Sequence, residues 1–144
     1  MLPDFTEDGL LPEGIHRTTF EEFSHRYKYF ERSNQRFRLF DKLRDLFFEA
    51  KRSGVVKRIL VGGSFVTSKA EPNDFDCILV IDPSFERKEL PPAHYNVVSR
   101  RMARRKYGGD IFPVFEDSVK FHELVELFQT SRGGGRKGIV EIEL

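Results

Sequence analysis

Val61-Gly62-Gly63-Ser64-Phe65-Val66-Thr67-Ser68-Lys69-Ala70-Glu71-Pro72-Asn73-Asp74-Phe75-Asp76-Cys77-Ile78-Leu79-Val80 carries the chain from one apolar run to another through a glycine turn and an acidic pair. The run before it, Val55 to Val61, is β-branched and apolar apart from Lys57 and Arg58, which predicts a strand ending at Gly62-Gly63-Ser64. The run after it, Phe75 to Ile81, predicts a second strand that closes at Asp82-Pro83, with Phe65 to Asn73 a loop or short helix between them. Side chains alternate along a strand, so Asp74 and Asp76, two apart at its mouth, are expected to project from one face. Two such carboxylates repel, which raises at least one pKa unless a cation lies between them. Hard oxygen donors of this kind suit Mg²⁺, which accepts one or two carboxylates and leaves its other positions to water and substrate phosphates. Gly62-Gly63-Ser64 supplies a complement, because glycines let the backbone approach a phosphate and N–H groups with a hydroxyl can hold an anion. Either signal alone is common loop punctuation; their conjunction carries the chemistry.

Around this centre the chain reads as helices alternating with short strands. Thr18 or Thr19, followed by Glu21 or Glu22, predicts a capping box and a short helix towards Phe30. A longer amphipathic helix starts at Ser33 or Asn34, aligns Phe40, Leu43, Phe47 and Ala50 at spacings of three and four, and stops at Gly54. A third helix runs from Pro91-Pro92 through Val97, Val98 and Met102 to Tyr107, with Gly108-Gly109 ending it and the three apolar residues expected inside. Ile111 to Phe115 suggests a strand that Pro113 demotes towards an edge or a short strand. Asp117 or Ser118 caps a helix bearing Phe121, Leu124, Val125 and Phe128, and Ile139 to Leu144 is a last strand. The expectation is an α/β (α+β) single domain over residues 18–144, a small mixed sheet flanked by helices, after an irregular segment over residues 1–17.

Length and composition agree with one domain. In 144 residues, 39% hydrophobic with 15 Phe and no Trp, there is enough apolar matter for a single core. Lys and Arg number 24 against 23 Asp and Glu, so the net charge of +1 argues against wholesale coating of nucleic acid, and anion binding must come from a local patch. The single cysteine, Cys77, has no internal disulfide partner and reads as a small buried residue. His16, His25, His94 and His122 are scattered without metal-ligand spacing, and no nucleophile elbow, Walker loop or dinucleotide fingerprint occurs. With no basic leader and no long apolar run, the expected setting is cytoplasmic, with neither a membrane nor a disulfide-linked partner.

A strand ending in Gly63-Ser64, nine intervening residues and then Asp74-Phe75-Asp76 opening an apolar strand resembles the nucleotidyltransferase superfamily named after DNA polymerase beta. The likeness covers Val61 to Ile81, and Phe37 to Gly54 fits the helix that precedes this strand in that fold. The resemblance implies that Gly63 and Ser64 bind the triphosphate of an NTP such as ATP, and that Asp74 and Asp76 hold two Mg²⁺ ions, with Mn²⁺ a substitute. It also implies a third carboxylate on a later strand, acting as general base and metal ligand. Asp110, directly before Ile111, is best placed for that role, and Glu116 and Asp117 are second choices. Where family members carry a glycine a few residues after the serine, this chain has Thr67 and Ser68, which with Lys69 could meet phosphate oxygens.

The implied activity is transfer of a nucleoside monophosphate to an acceptor hydroxyl on a protein or an RNA. Chains this short on such a fold resemble minimal nucleotidyltransferases of prokaryotes, several of which sit in toxin–antitoxin or defence modules, so a cognate partner protein is a candidate. The rival expectation is a nucleotide-binding or partner-binding module without turnover on the same scaffold. A third, an RNA-binding protein, rests on Arg100, Arg101, Arg104, Arg105 and Lys106, which form either a solvated helix face or a basic wall beside Asp110 for nucleotide phosphate or an RNA acceptor, which Arg132, Arg136 and Lys137 extend.

Overall fold

The computed structural model describes residues 1–28, 30–86 and 89–144, the side chain of residue 31 excepted. Its elements are β1 (Gly14–Thr18), α1 (Phe20–Tyr27), α2 (Asn34–Ser53), β2 (Val56–Gly62), β3 (Asp76–Ile81), α3 (Arg100–Tyr107), β4 (Asp110–Phe115), α4 (Val119–Phe128) and β5 (Gly138–Ile142). The strands form one mixed five-stranded sheet in the order β1-β5-β2-β3-β4. The hairpin partners β2 and β3 are antiparallel, as are β2 and β5, whereas β4 runs parallel to β3 and β1 parallel to β5. This is the expected α/β domain with a small mixed sheet.

Period-two alternation divides the sheet between two cores. Ile59, Val61, Cys77 and Leu79 face a core shared with Phe23 and Tyr27 of α1, Phe40, Leu43 and Phe47 of α2, and Ala103 and Tyr107 of α3. Leu60, Ile78 and Val80 face the other way, onto Phe121, Leu124 and Phe128 of α4. Helices therefore cover both faces, which is why the central strands read as nearly continuous apolar runs.

The capping chemistry explains the helix limits. Ser33 accepts from the Arg36 N–H at the start of α2, and Gly54 takes the left-handed conformation, φ 73°, that ends it. Thr19 caps α1 by accepting from Glu22 N–H. The carboxylate of Glu22 does not return to the cap, however; it accepts from Thr18 Oγ1 at 2.5 Å and from Leu2 N–H at 3.0 Å, fastening the N-terminal segment.

Four expectations need correction. The segment over 1–17 is not irregular throughout, because Gly14 onwards forms β1, an edge strand whose alternating exposure leaves little apolar signal. Helix α1 stops at Tyr27, short of Phe30, which begins a separate 3-10 turn to Arg32. The helix expected from Pro91 to Tyr107 is two pieces: a 3-10 stretch, Pro92–Val97, and then α3, which Ser99 caps by accepting from Met102 N–H. The break also rotates the buried face. Val97 is buried, but Met102 is exposed, and Ala103 and Tyr107 enter the core in its place. Cys77 is buried and free, and among the described residues no helix is long and apolar enough to cross a membrane.

Candidate functional site

Parallel pairing sets the centre of the site. The register of β3 on β4 places Asp76 opposite Asp110, and Asp74 lies two residues before β3 begins. Asp74 stands just outside the strand, and its carboxylate accepts from the Phe75 N–H at 2.8 Å in the approach to it. One oxygen from each of Asp74, Asp76 and Asp110 lies within 4.8 Å of the others. Two glycines permit this convergence. Gly63 has φ 79°, and a Cβ there would sit 2.8 Å from Asp76 Oδ2, so the turn after β2 touches the carboxylate directly. A Cβ on Gly109 would come within 2.7 Å of the ring and the carbonyl of Phe75, which blocks any other residue from bringing β4 this close.

The electrostatics are those of partly buried acids gathered close together. Partial burial raises the pKa of Asp74, assisted by the charge of Asp110, while the Phe75 N–H and Arg104 oppose the shift. Burial likewise raises that of Asp76, and the charges of Asp74 and Asp110 raise it further against a smaller opposing effect from Lys137. Asp110 is engaged by the guanidinium of Arg104, which reaches it from α3. The other acids considered for the third position are remote from this convergence: Glu116 follows the far end of β4 and pairs with Lys57 at 3.2 Å, with Asp117 next to it.

A cleft of about 490 Å³ opens over the carboxylates. Gly63, Ser64, Thr67, Lys69, Asn73, Arg132 and Lys137 line it together with the three acids, so hydroxyls and cations share the cleft with the carboxylates. An adjoining hollow of about 240 Å³ shares Gly63, Asp76, Asp110 and Lys137 but is bounded by Phe112, Leu127, Phe128 and Thr130, an apolar side against the same acids. Of the basic residues near the triple glycine, Arg136 does not join the cleft; it is held by Glu13 at 2.9 Å and Glu126 at 2.5 Å.

The segment after the glycine turn is held by a residue that the motif reading passed over. Arg36 on α2 is fully buried, and its guanidinium donates to the carbonyls of Phe65 at 2.7 Å, Thr67 at 2.8 Å and Lys69. Burial pulls its pKa down to about 10, still well above neutrality. Thr67 Oγ1 adds a bond to the Ser64 carbonyl at 2.7 Å and accepts from Lys69 N–H. Its hydroxyl is therefore engaged by the backbone even though Thr67 borders the cleft. Ser68 turns elsewhere: its N–H donates to Gly9 O at 2.8 Å and its side chain packs over Gly9, so of the three residues after the turn only Thr67 and Lys69 line the cleft. An arginine in an amphipathic helix reads as solvated surface, and only its position three residues after the Ser33 cap, on the inward side with Phe40, hinted otherwise.

No curated protein and no solved structure matches the chain. A model of one protein family, described as of unknown function, matches residues 3–143.

Proposed function

The chain belongs to that family, DUF6932, and from this starting point we propose that it is a Mg²⁺-dependent nucleotidyltransferase of the DNA polymerase beta type, moving a nucleoside monophosphate from an NTP to an acceptor hydroxyl on a protein or RNA. The observation that carries this reading is the convergence of Asp74, Asp76 and Asp110 within 4.8 Å in a cleft that Gly63 and Ser64 also line, Gly63 directly against Asp76. Partial burial and neighbouring negative charge make Asp74 and Asp76 reluctant to ionise unless a cation joins them, and all three acids offer hard oxygens suited to a divalent one. Asp74, Asp76 and Asp110 would hold Mg²⁺, or Mn²⁺ in its place; the bound metal supplies charge neutralisation for the phosphates and acidifies the attacking hydroxyl.

The chain's own groups do the rest. Gly63 brings backbone up to the acids, Ser64 offers a hydroxyl, and Lys69, Arg132 and Lys137 orient and neutralise phosphate oxygens from the cleft walls. Asp110 takes the proton of the acceptor hydroxyl as the new acceptor O–Pα bond forms; the bond from Pα to the bridging oxygen breaks and its electron pair leaves with pyrophosphate. Arg104 must release Asp110 for this step. The positioning by Arg36 serves the same end, because carbonyls drawn towards a buried guanidinium hold the loop backbone in one conformation. The rival reading, nucleotide binding without turnover, is favoured by one observation, the engagement of the Thr67 hydroxyl by Ser64 O and Lys69 N–H.

The test is incubation with each α-phosphate-labelled NTP, Mg²⁺ or Mn²⁺, and a lysate containing protein and RNA, beside an Asp74→Asn/Asp76→Asn variant. Label transferred by the wild type and lost in the variant supports the transferase. Nucleotide binding with no transfer under any condition supports the binding module.

A further inference from the structure

Helix α3, Arg-Arg-Met-Ala-Arg-Arg-Lys-Tyr, contains no acid along its length, although the chain as a whole is nearly neutral. Ala103 and Tyr107, one turn apart, dock it on the core, and Arg100, Arg101, Arg104 and Arg105 lie on its exposed side. Arg100 with Arg104 and Arg101 with Arg105 are like charges four residues apart, an arrangement that weakens a helix in isolation. Three of the five cations have partners: Arg100 lies 4.2 Å over the Phe112 ring, Arg104 meets Asp110, and Lys106 pairs with buried Glu49 at 2.9 Å. Arg101 and Arg105 are exposed with no ion pair among the described residues.

From this segregation we infer that α3 is a docking track for the phosphate backbone of RNA, and that the acceptor hydroxyl is a ribose hydroxyl delivered along it to Asp110. The assignment of the track stands on the surface alone; the identity of the acceptor rests on the transferase reading. Arg104 joins the two, since the same guanidinium belongs to the arginine face and touches the proposed general base. A phosphate running along α3 competes for Arg104 and frees Asp110, while Lys137 and Arg132 continue the positive surface across the cleft. A phosphate backbone, with one negative charge at every nucleotide, complements a run of arginines along one helix face and gains affinity through release of its counterions.

The experiment measures binding of fluorescein-labelled single-stranded and hairpin RNAs of mixed sequence by anisotropy, from 50 to 300 mM salt, in parallel with label transfer. The variant Arg101→Glu/Arg105→Glu is compared with Lys42→Glu/Lys51→Glu, an equal charge change on exposed positions of α2, both checked by thermal melting. Expected are binding that falls steeply with salt, a loss of at least tenfold and a salt slope lower by roughly 1.5–2 in the arginine variant, and little change in the lysine variant. Asp74→Asn/Asp76→Asn should keep RNA binding while losing transfer. Equal losses in both charge variants, or no binding at 50 mM salt, overturn the track. Label that protease but not ribonuclease removes overturns the RNA acceptor and leaves the transferase standing, whereas RNA binding without any transfer defeats the transferase and leaves the track.

Discussion

Asp76 is the residue on which the chemistry and the stability of this protein conflict. Burial and the charges of Asp74 and Asp110 make its carboxyl hold a proton to higher pH than it would in the unfolded chain, and Asp74 is shifted in the same direction. Between the unfolded and folded values the native state binds more protons, so in EDTA the stability falls as pH rises through the range just above the ordinary carboxylate value. At neutral pH Asp76→Asn should therefore melt higher than the wild type in EDTA, and the rise in Tm that Mg²⁺ gives the wild type should shrink or vanish in the variant; calorimetry at two pH values checks both. Arg36 presents the opposite case, a buried charge whose removal exposes a deficit. Arg36→Met leaves the carbonyls of Phe65, Thr67 and Lys69 without their donor and should cost about 2–4 kcal/mol in urea denaturation, with Arg36→Lys recovering only part, because one ammonium cannot span them all. The acids were legible in the sequence because two of them share a short motif. Arg36 was not, since its partners are backbone oxygens that no side-chain pattern announces.

Among the elements, α3 is the least comfortable fit. Its Tyr107 is 2% exposed and its hydroxyl has no hydrogen-bond partner among the described residues, so the ring contributes packing while the oxygen is desolvated without compensation from them. Tyr107→Phe should accordingly be neutral or stabilising by up to about 1 kcal/mol in chemical denaturation, against the usual direction for a core substitution. The same element shows where helical periodicity misleads. Val97, Val98 and Met102 fit a continuous apolar stripe, but Val98 ends the 3-10 stretch and Ser99 caps a new helix, after which the register of buried positions starts afresh at Ala103. A cap in mid-run carries the same serine signature as Ser33 or Ser118 and was outweighed by the apolar spacing around it. Where capping and spacing agreed, as in α2 and α4, the helices follow the pattern closely. β1 escaped for another reason: an edge strand of Gly, Ile, His, Arg and Thr is specified by its partner β5 more than by its own residues.

At the scale of the whole molecule, the N-terminal segment acts as a strap across structure formed much later in the chain. Leu2 and Leu11 are buried in the main core, Leu11 O accepts from Gly138 N–H at 2.9 Å, and Gly9 O receives the Ser68 N–H beside the cleft. Leu11→Ala should lose about 2–4 kcal/mol of stability by denaturation, and removal of residues 1–10 should speed amide exchange at Ser68 and Lys69 by tenfold or more. Both effects tie the integrity of the cleft to contacts that begin far from the acids. The sheet order has its own bearing on how the protein comes into being. β5 lies between β1 and β2, and β1 hydrogen-bonds to it as its sheet neighbour. A ribosome making this chain delivers β1 before every other strand of the sheet and β5 after them, so β1 waits unpaired while the rest are made, and the domain closes only when β5 slots between strands already present. Until that moment the nascent chain offers two open β-edges to its surroundings, which gives a cell reason to shield it from neighbouring copies on the same message.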